Sequence, residues 1–278
     1  MIKVEVKRVR NKLIVFILLT AAISSISYYF MFTTGSSGDF GALLMWSPGI
    51  AAILTQWSFR EGIRNFGWNL GNKKYLFWGF AIPILYGLVI YGFSWITGLA
   101  GFQAPSLNLI LVMPLGFVAA CFAALGEEIG WRGLLVPELF KLTTFTKASL
   151  ITWVLWATWH YPAILFADYH SQAPRWVDMS TFTLAVLGMS FFTAWLRLKS
   201  GSLWPVVLWH GNHNLFIQVV FLSMSIDTGL TEYIVDDFGL GVMFSALIVG
   251  FIFWRKRHDL CVPVQDQTLS EAKAETSR

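Results

Sequence analysis

Residues 107–132 read LNLILVMPLGFVAACFAALGEEIGWR. The part before Glu127 contains no charged side chain and is about 20 residues long, which is the length that an α-helix needs to cross roughly 30 Å of hydrocarbon. Glu127, Glu128 and Arg132 then follow within one and a half turns. This stretch therefore predicts a membrane-spanning helix with three charged side chains near the apolar interior.

The composition of the whole chain is that of a membrane protein. Hydrophobic residues make up 56% and charged residues 13% of the 278 positions, whereas soluble domains contain about 25% charged residues. The 14 Trp and 24 Phe residues suit the aromatic belts at bilayer interfaces. The net charge of +4 is small, and the predicted partner is the lipid bilayer and not a nucleic acid.

Apolar runs recur along the chain and predict the fold class. They occupy 13–32, 41–57, 75–95, 107–126, 148–167, 180–198, 202–224 and 238–254. Each run is long enough, or nearly so, for one crossing, and the fourth is predicted to continue as a helix to about Val136. We expect an all-α, polytopic transmembrane helical bundle with about eight spans over residues 1–258, followed by a disordered cytoplasmic tail at 259–278.

The distribution of charge predicts the orientation. If eight spans leave both termini in the cytoplasm, 19 of the 20 basic residues fall on the inner side, and only Arg175 falls outside. Most acidic loop residues, Asp168 and Asp237 among them, fall outside. This asymmetry follows the positive-inside rule, and the expected location is the cell membrane with multiple passes.

Ionisable and amide residues within the apolar runs are candidates for function, because a charge at the bilayer centre costs roughly 2.5–3.5 kcal/mol. At 1.5 Å per residue, Glu127, His160 and His210 lie about 14, 18 and 12 Å above the predicted inner ends of their helices. The shared depth predicts one polar cavity, on the cytoplasmic side of the midplane. The candidate set is Glu127, Glu128, Arg132, His160, His210, His213 and Asn214.

Helical spacing divides these residues into pairs. Glu128 and Arg132 are four residues apart, lie on one helix face and are expected to pair. His210 and Asn214 are also four residues apart, so their side chains are expected to point in the same direction. Glu127 lies 100° round the helix from Glu128 and is therefore free for another role. A purely structural Glu128–Arg132 ion pair is the alternative, and His213 cannot share the face of His210.

Three motifs in this order resemble those of a known family. E-E-I-G-W-R at 127–132 resembles an EExxxR motif, W-A-T-W-H at 156–160 resembles FxxxH with Trp156 in place of Phe, and H-G-N-H-N at 210–214 resembles a His followed four residues later by Asn or Asp. This is the pattern of the CPBP family (CAAX prenyl protease, Abi and bacteriocin-processing proteins), which is similar to the type II CAAX prenyl endopeptidase.

The resemblance implies an intramembrane endopeptidase with a cavity open to the cytoplasm. Its implied catalytic residues are Glu127, Glu128, Arg132, His160, His210 and Asn214. Glu127 and His160 would activate a water, and His210 and Asn214 would stabilise an oxyanion, with no cofactor required. Zinc held by Glu127, His160 and His210 is the alternative, because Glu with two His is a known zinc set.

The substrate and two other functions stay open at this point. A CAAX-type lipidated tail, a leader peptide and a pheromone-like precursor all fit the resemblance. A non-enzymatic immunity or scaffold protein of the same fold is one rival. A proton-coupled transporter is another, since intramembrane Glu and His also serve as proton relays, although inverted repeats are not apparent in the sequence.

Overall fold

A computed structural model of the chain describes residues 2–260, and within them it is built almost entirely of helices. The helices are α1 (Ile2–Thr34), α2 (Gly38–Ser58), α3 (Lys73–Thr97), α4 (Leu107–Glu128), α5 (Val136–Leu142), α6 (Phe145–Phe166), α7 (Arg175–Ser200), α8 (Trp204–Leu215), α9 (Thr231–Ile234) and α10 (Leu240–Arg255). Two short strands, β1 (Gly101–Phe102) and β2 (Ser225–Ile226), pair antiparallel. The predicted all-α fold class is confirmed.

Seven of the eight predicted apolar runs each coincide with one helix, and the run 202–224 is divided between α8 and the π-helical segment Phe216–Phe221. By length and composition, four helices are suited to cross a membrane: Val4–Thr34, Lys73–Thr97, Leu107–Leu142 and Arg175–Ser200. These four establish the apolar, membrane-type character of the described chain. The count of eight spans and the cytoplasmic termini stay predictions.

The fourth helix continues past its glutamates, as expected, but with a change of winding. A π-helical segment, Ile129–Leu135, joins α4 to α5, and a second one, Phe216–Phe221, follows α8. A π-helix bonds i to i+5, so it rotates the side chains that follow, and such segments are frequent at functional sites. Here the first segment carries Arg132, and the second contains Gln218.

Helix α8 packs closely on α4 because glycine provides the space. A Cβ added at Gly211 would come within 2.6 Å of Cys121 Sγ, so only glycine lets the two backbones approach this far. Gly126 on α4 meets the backbone of Trp46 on α2 in the same manner, since a Cβ there would lie 2.8 Å from the Trp46 Cα. The close approach brings the end of α4 and the middle of α8 together.

At the end where α1 begins, a charge cluster joins three parts of the chain. Lys12 on α1, 2% exposed, donates to Glu138 on α5 at 2.9 Å and to Glu61 at 2.5 Å. Glu61 lies in the connection after α2, which contains a 3-10 turn, Ile63–Phe66. The predicted tail lies, from residue 261 onward, outside the described residues.

Candidate active site

A fully buried ion pair on α4 and its π-helical extension forms one wall of the site. Glu128 Oε1 accepts a hydrogen bond of 3.0 Å from Arg132 Nη1, in the predicted i,i+4 arrangement, and both side chains are 0% exposed. The same oxygen lies 2.8 Å from His210 Nδ1 on α8. Because an ionised carboxylate only accepts, His210 donates through Nδ1, and its Nε2 is the ring atom left for a ligand.

Trp156, at the motif position where the family pattern has Phe, contacts four of the candidate residues. Its Nε1 donates to Glu127 Oε2 at 2.8 Å. The guanidinium of Arg132 lies 4.0 Å above its ring, and the rings of His160 and His210 lie edge-on at centroid distances of 6.1 and 5.8 Å. Sequence analysis treated Trp156 only as an aromatic replacement and missed this role.

His160 is fixed by its own helix and by aromatic neighbours. Its Nδ1 lies 2.8 Å from the carbonyl oxygen of Trp156 one turn earlier. Since a carbonyl can only accept, Nδ1 carries the hydrogen, and the neutral ring presents an unprotonated Nε2. Trp159 and Phe182 pack against the ring at centroid distances of 4.7 and 4.9 Å. The arrangement leaves a histidine that is oriented to accept a proton.

A second cluster of polar side chains, which the sequence did not predict, lies next to Asn214. His213 Nε2 lies 2.7 Å from Asp237 Oδ1, and Asp237 Oδ2 accepts from Tyr169 and from Gln218 Nε2, each at 2.7 Å. The sequence placed Asp237 in an outer loop, yet it is 5% exposed. Its position before α10 gives no periodic signal, so only the tertiary contacts reveal it.

Glu127, His160, His210 and Asn214 line a single cavity of about 210 Å³, so the structure brings together the four residues predicted to surround one. Glu128 and Arg132 are not part of its lining and contact it through His210 and Trp156. His213 and Asp237 also line it. His170 and His258, the other two histidines of the chain, are absent from the lining.

The lining also indicates where along the bundle the cavity extends. It includes Ser37 before α2, Tyr169 between α6 and α7, and Asp237 before α10. All three lie in connections that the charge distribution assigns to the outer side. The cavity therefore reaches the outer end of the bundle in this topology, whereas the sequence predicted an opening at the opposite, cytoplasmic end.

The described residues were also considered as metal ligands. No three His, Cys, Asp or Glu side chains among residues 2–260 are arranged to hold a metal ion. In the predicted zinc set, Glu127 Oε2 is engaged by Trp156, and His210 Nδ1 by Glu128. These hydrogen bonds leave Glu127 Oε1 and the Nε2 atoms of His160 and His210 without a partner among residues 2–260, and a histidine that ligates a metal usually donates its other ring N–H to a carboxylate or a carbonyl. The zinc alternative therefore stays a prediction beside the metal-free one, and no chemical step below uses a metal.

The fold and the cavity define a class: a helical membrane protein with Glu, His and Asn side chains gathered around a buried cavity. A family model for type II CAAX prenyl endopeptidase Rce1-like proteins matches residues 108–216, which include all six predicted catalytic residues. A CAAX prenyl protease 2 from Methanococcus maripaludis is 28% identical over 156 residues.

That alignment covers 54% of this chain and 52% of the archaeal protein, so the chain spans about half the length of the curated relative it matches. The family model and the relative agree with the three motifs. The predicted resemblance is confirmed: over residues 108–216 this chain is similar to the type II CAAX prenyl endopeptidases of the CPBP family.

Proposed function

We propose that this protein is an intramembrane endopeptidase that hydrolyses a peptide bond with water activated by Glu127 and His160. The observation that carries the proposal is the convergence of Glu127, His160, His210 and Asn214 on one cavity. These residues come from three helices and lie within the region that matches the family. Polar side chains at this depth are expensive in a membrane protein, and their grouping in one cavity favours catalysis over helix packing.

Water activation follows from the hydrogen bonds that the two bases already make. Trp156 engages Glu127 Oε2, so Oε1 is left to bind a water in the cavity. His160 presents Nε2, because Nδ1 donates to a backbone carbonyl. A water held between these two acceptors loses a proton as its oxygen attacks the carbonyl carbon of the substrate, which is general base catalysis. The proton then passes to the leaving amine.

Stabilisation of the tetrahedral intermediate falls to α8. His210 and Asn214 are one turn apart, so both can donate to one oxyanion, Asn214 through its amide N–H and His210 through Nε2 as the imidazolium, whose charge the Glu128 carboxylate at Nδ1 balances. Removal of a single donor of this kind typically lowers turnover by about 10²–10³. Glu128 and Arg132 do not line the cavity. They act as positioning residues, because the Glu128 carboxylate fixes His210 and Arg132 fixes Glu128.

The proposal includes the setting and the substrate class. We propose an eight-span protein of the cell membrane with both termini in the cytoplasm, acting on a lipidated CAAX-type tail, a leader peptide or a pheromone-like precursor. The sequence predicts access from the cytoplasm. The positions of Ser37, Tyr169 and Asp237 in the lining favour access from the outer end of the same topology.

The proposed mechanism requires no cofactor. Purified protein in liposomes should keep its activity when phenanthroline or EDTA is added before the substrate. Complete loss with a chelator, restored by added zinc, would contradict the metal-free mechanism while leaving the peptidase proposal intact.

The peptidase proposal is tested with Glu127→Gln, which keeps the size of the side chain and removes the base. An internally quenched farnesylated CAAX peptide and the same peptide without the farnesyl group serve as probes, and cellular membrane peptides are compared by mass spectrometry. Wild type should release peptide products that Glu127→Gln does not. The control is Glu5→Gln, at an exposed position near the start of α1, which should behave as wild type. Identical peptide patterns for wild type and Glu127→Gln would refute the proposal and favour a non-enzymatic membrane protein.

A further inference from the structure

Asp237 is the central acceptor of a hydrogen-bond network in the cavity wall. Its Oδ1 faces His213 Nε2, and its Oδ2 faces the Tyr169 hydroxyl and Gln218 Nε2, each at 2.7 Å. Gln218 Nε2 also lies 3.3 Å from Asn214 Oδ1. The network thus runs from a connection between α9 and α10 to an amide proposed to bind the oxyanion.

The direction of each hydrogen bond follows from the chemistry of the carboxylate. An ionised carboxylate has no hydrogen to donate, so Gln218 must turn its –NH₂ group, and not its carbonyl oxygen, toward Asp237. Since the –NH₂ group has two hydrogens, the second can be donated to Asn214. It follows that Asn214 meets Gln218 with its own carbonyl oxygen.

The orientation of the Asn214 amide is the consequence that matters for catalysis. With Oδ1 accepting from Gln218, Nδ2 is the end that is left for the cavity, where it has no hydrogen-bond partner among residues 2–260. The reversed amide would present an oxygen to the oxyanion, and two acceptors repel each other. A neutral amide stabilises an oxyanion only when its N–H groups are aimed at it.

We propose that Asp237 is a positioning residue that acts through Gln218 to hold the Asn214 amide with its N–H groups facing the cavity. This inference rests on the proposed peptidase function, because it assigns Asn214 to the oxyanion. Asp237 itself does not touch the reacting atoms. It determines which end of the Asn214 amide faces the reacting atoms.

Gln218 is the better residue for a test than Asp237. Asp237 also binds Tyr169, whose ring packs on His160 at a centroid distance of 5.8 Å, so replacement of Asp237 would disturb two catalytic groups. Gln218→Met keeps the length of the side chain and removes both hydrogen bonds, while the contacts of Asp237 with His213 and Tyr169 stay. The matched control is Gln103→Met. Gln103 donates through Nε2 to the Ser223 carbonyl at 2.8 Å and is exposed.

The experiment measures cleavage of the internally quenched farnesylated CAAX peptide by full-length variants in liposomes. Gln218→Met should lower kcat about fivefold, since the lost hydrogen bond to Asn214 is worth on the order of 1 kcal/mol, with KM within about twofold of wild type. In an Asn214→Ala background the same change should have no further effect, because the amide that it orients is gone. Gln103→Met should leave kcat unchanged. Gln218→Ala, which adds no bulk, should give the same drop and guards against misfolding of the methionine variant.

The contrary outcomes are distinct. An unchanged kcat for folded Gln218→Met, a rise in KM in place of a fall in kcat, or an equal loss in the Asn214→Ala background would each overturn the positioning role. A wild-type protein that cleaves nothing, with cellular peptides unaffected by Glu127→Gln, would instead overturn the proposed function itself.

Discussion

The indole N–H of Trp156 on α6 donates a 2.8 Å hydrogen bond to the carboxylate of Glu127 on α4. The ring of the same side chain carries the Arg132 guanidinium at 4.0 Å. A cation over an aromatic face is held by the ring quadrupole, while the N–H group uses the ring edge. One side chain therefore fixes the proposed base and contacts the buried cation that supports Glu128.

Trp156→Phe should separate these two contacts, because phenylalanine keeps an aromatic face and has no N–H group. Hydrogen bonds to charged groups contribute about 1.5–3 kcal/mol, so we expect turnover to fall roughly ten- to hundredfold. The melting temperature should fall as well, because Glu127 stays buried without this donor. Peptide cleavage and thermal unfolding in detergent measure the two. Trp153→Phe is the control, since Trp153 donates at 2.8 Å to the Thr183 carbonyl outside the cavity. Equal turnover in Trp156→Phe and Trp153→Phe would mean that the hydrogen bond to Glu127 has no catalytic value.

Arg132→Ala should damage the fold as well as the activity. It leaves Glu128 buried at 0% exposure with His210 as its remaining partner, and breaking a buried pair typically costs 3–5 kcal/mol. We expect a low yield of folded protein, measured by size-exclusion chromatography in detergent. Arg132→Lys should restore yield more than activity, because lysine keeps the charge but lacks the planar group that stacks on Trp156. The exposed Arg64→Ala is the control, and a normal yield of active Arg132→Ala would count against the ion pair.

The eight-span topology predicts which positions an impermeant thiol reagent reaches in intact cells. In a chain with Cys121 and Cys261 replaced by serine, a cysteine at Gln172 should be labelled from outside. Cysteines at Lys74 and Lys147 should react only after the membrane is permeabilised. A cysteine at Ser37, in the connection between α1 and α2 that the same topology places outside, should also be labelled from outside. Strong external labelling at Lys74 or Lys147 would refute the orientation.

Acid should weaken the contact between α1 and the segment after α2. Partial burial by itself raises the pKa of Glu61, but the hydrogen bond and charge of Lys12, helped by Arg8, outweigh it and hold the pKa below its ordinary value of 4.5. Because the pKa of Glu61 is lower in the folded than in the unfolded protein, its ionised form stabilises the fold at any pH above the pKa of the unfolded state. This stabilisation is lost as the pH falls through the pKa of the folded state. We therefore expect the melting temperature of wild type to drop below pH 4.5 by more than that of Glu61→Gln. Parallel curves for the two proteins would exclude this contribution.

The sequence predicted the individual catalytic candidates better than their surroundings. Glu128 with Arg132 was predicted from i,i+4 spacing alone, and the ion pair is present. The cavity shared by Glu127, His160, His210 and Asn214 was predicted from similar depths on three helices. Both predictions needed only helical geometry, because position along a helix fixes depth and face. The catalytic roles of these residues stay predictions.

Other features depend on contacts between distant segments, and helical spacing carries no information about them. The hydrogen bond from Trp156 to Glu127 joins residues 29 positions apart. Asp237 lies in a connection, where no periodicity fixes the direction of a side chain, and was assigned to the outside. His213 was kept as a candidate without a role, because it cannot share the face of His210, yet it lines the same cavity.

Apolar run length and the three motifs were enough to predict a helical membrane protein whose Glu, Arg, His and Asn residues resemble the CPBP pattern. The length of an apolar run belongs to one segment, and the charge asymmetry belongs to the order of the loops along the chain, so both can be recognised without a fold. Tertiary contacts were needed to show that Trp156 holds Glu127 and that Asp237 adjoins Asn214 through Gln218. Those contacts depend on how closely α8 approaches α4 and on the position of the connection before α10. Both are set by the packing of the whole bundle.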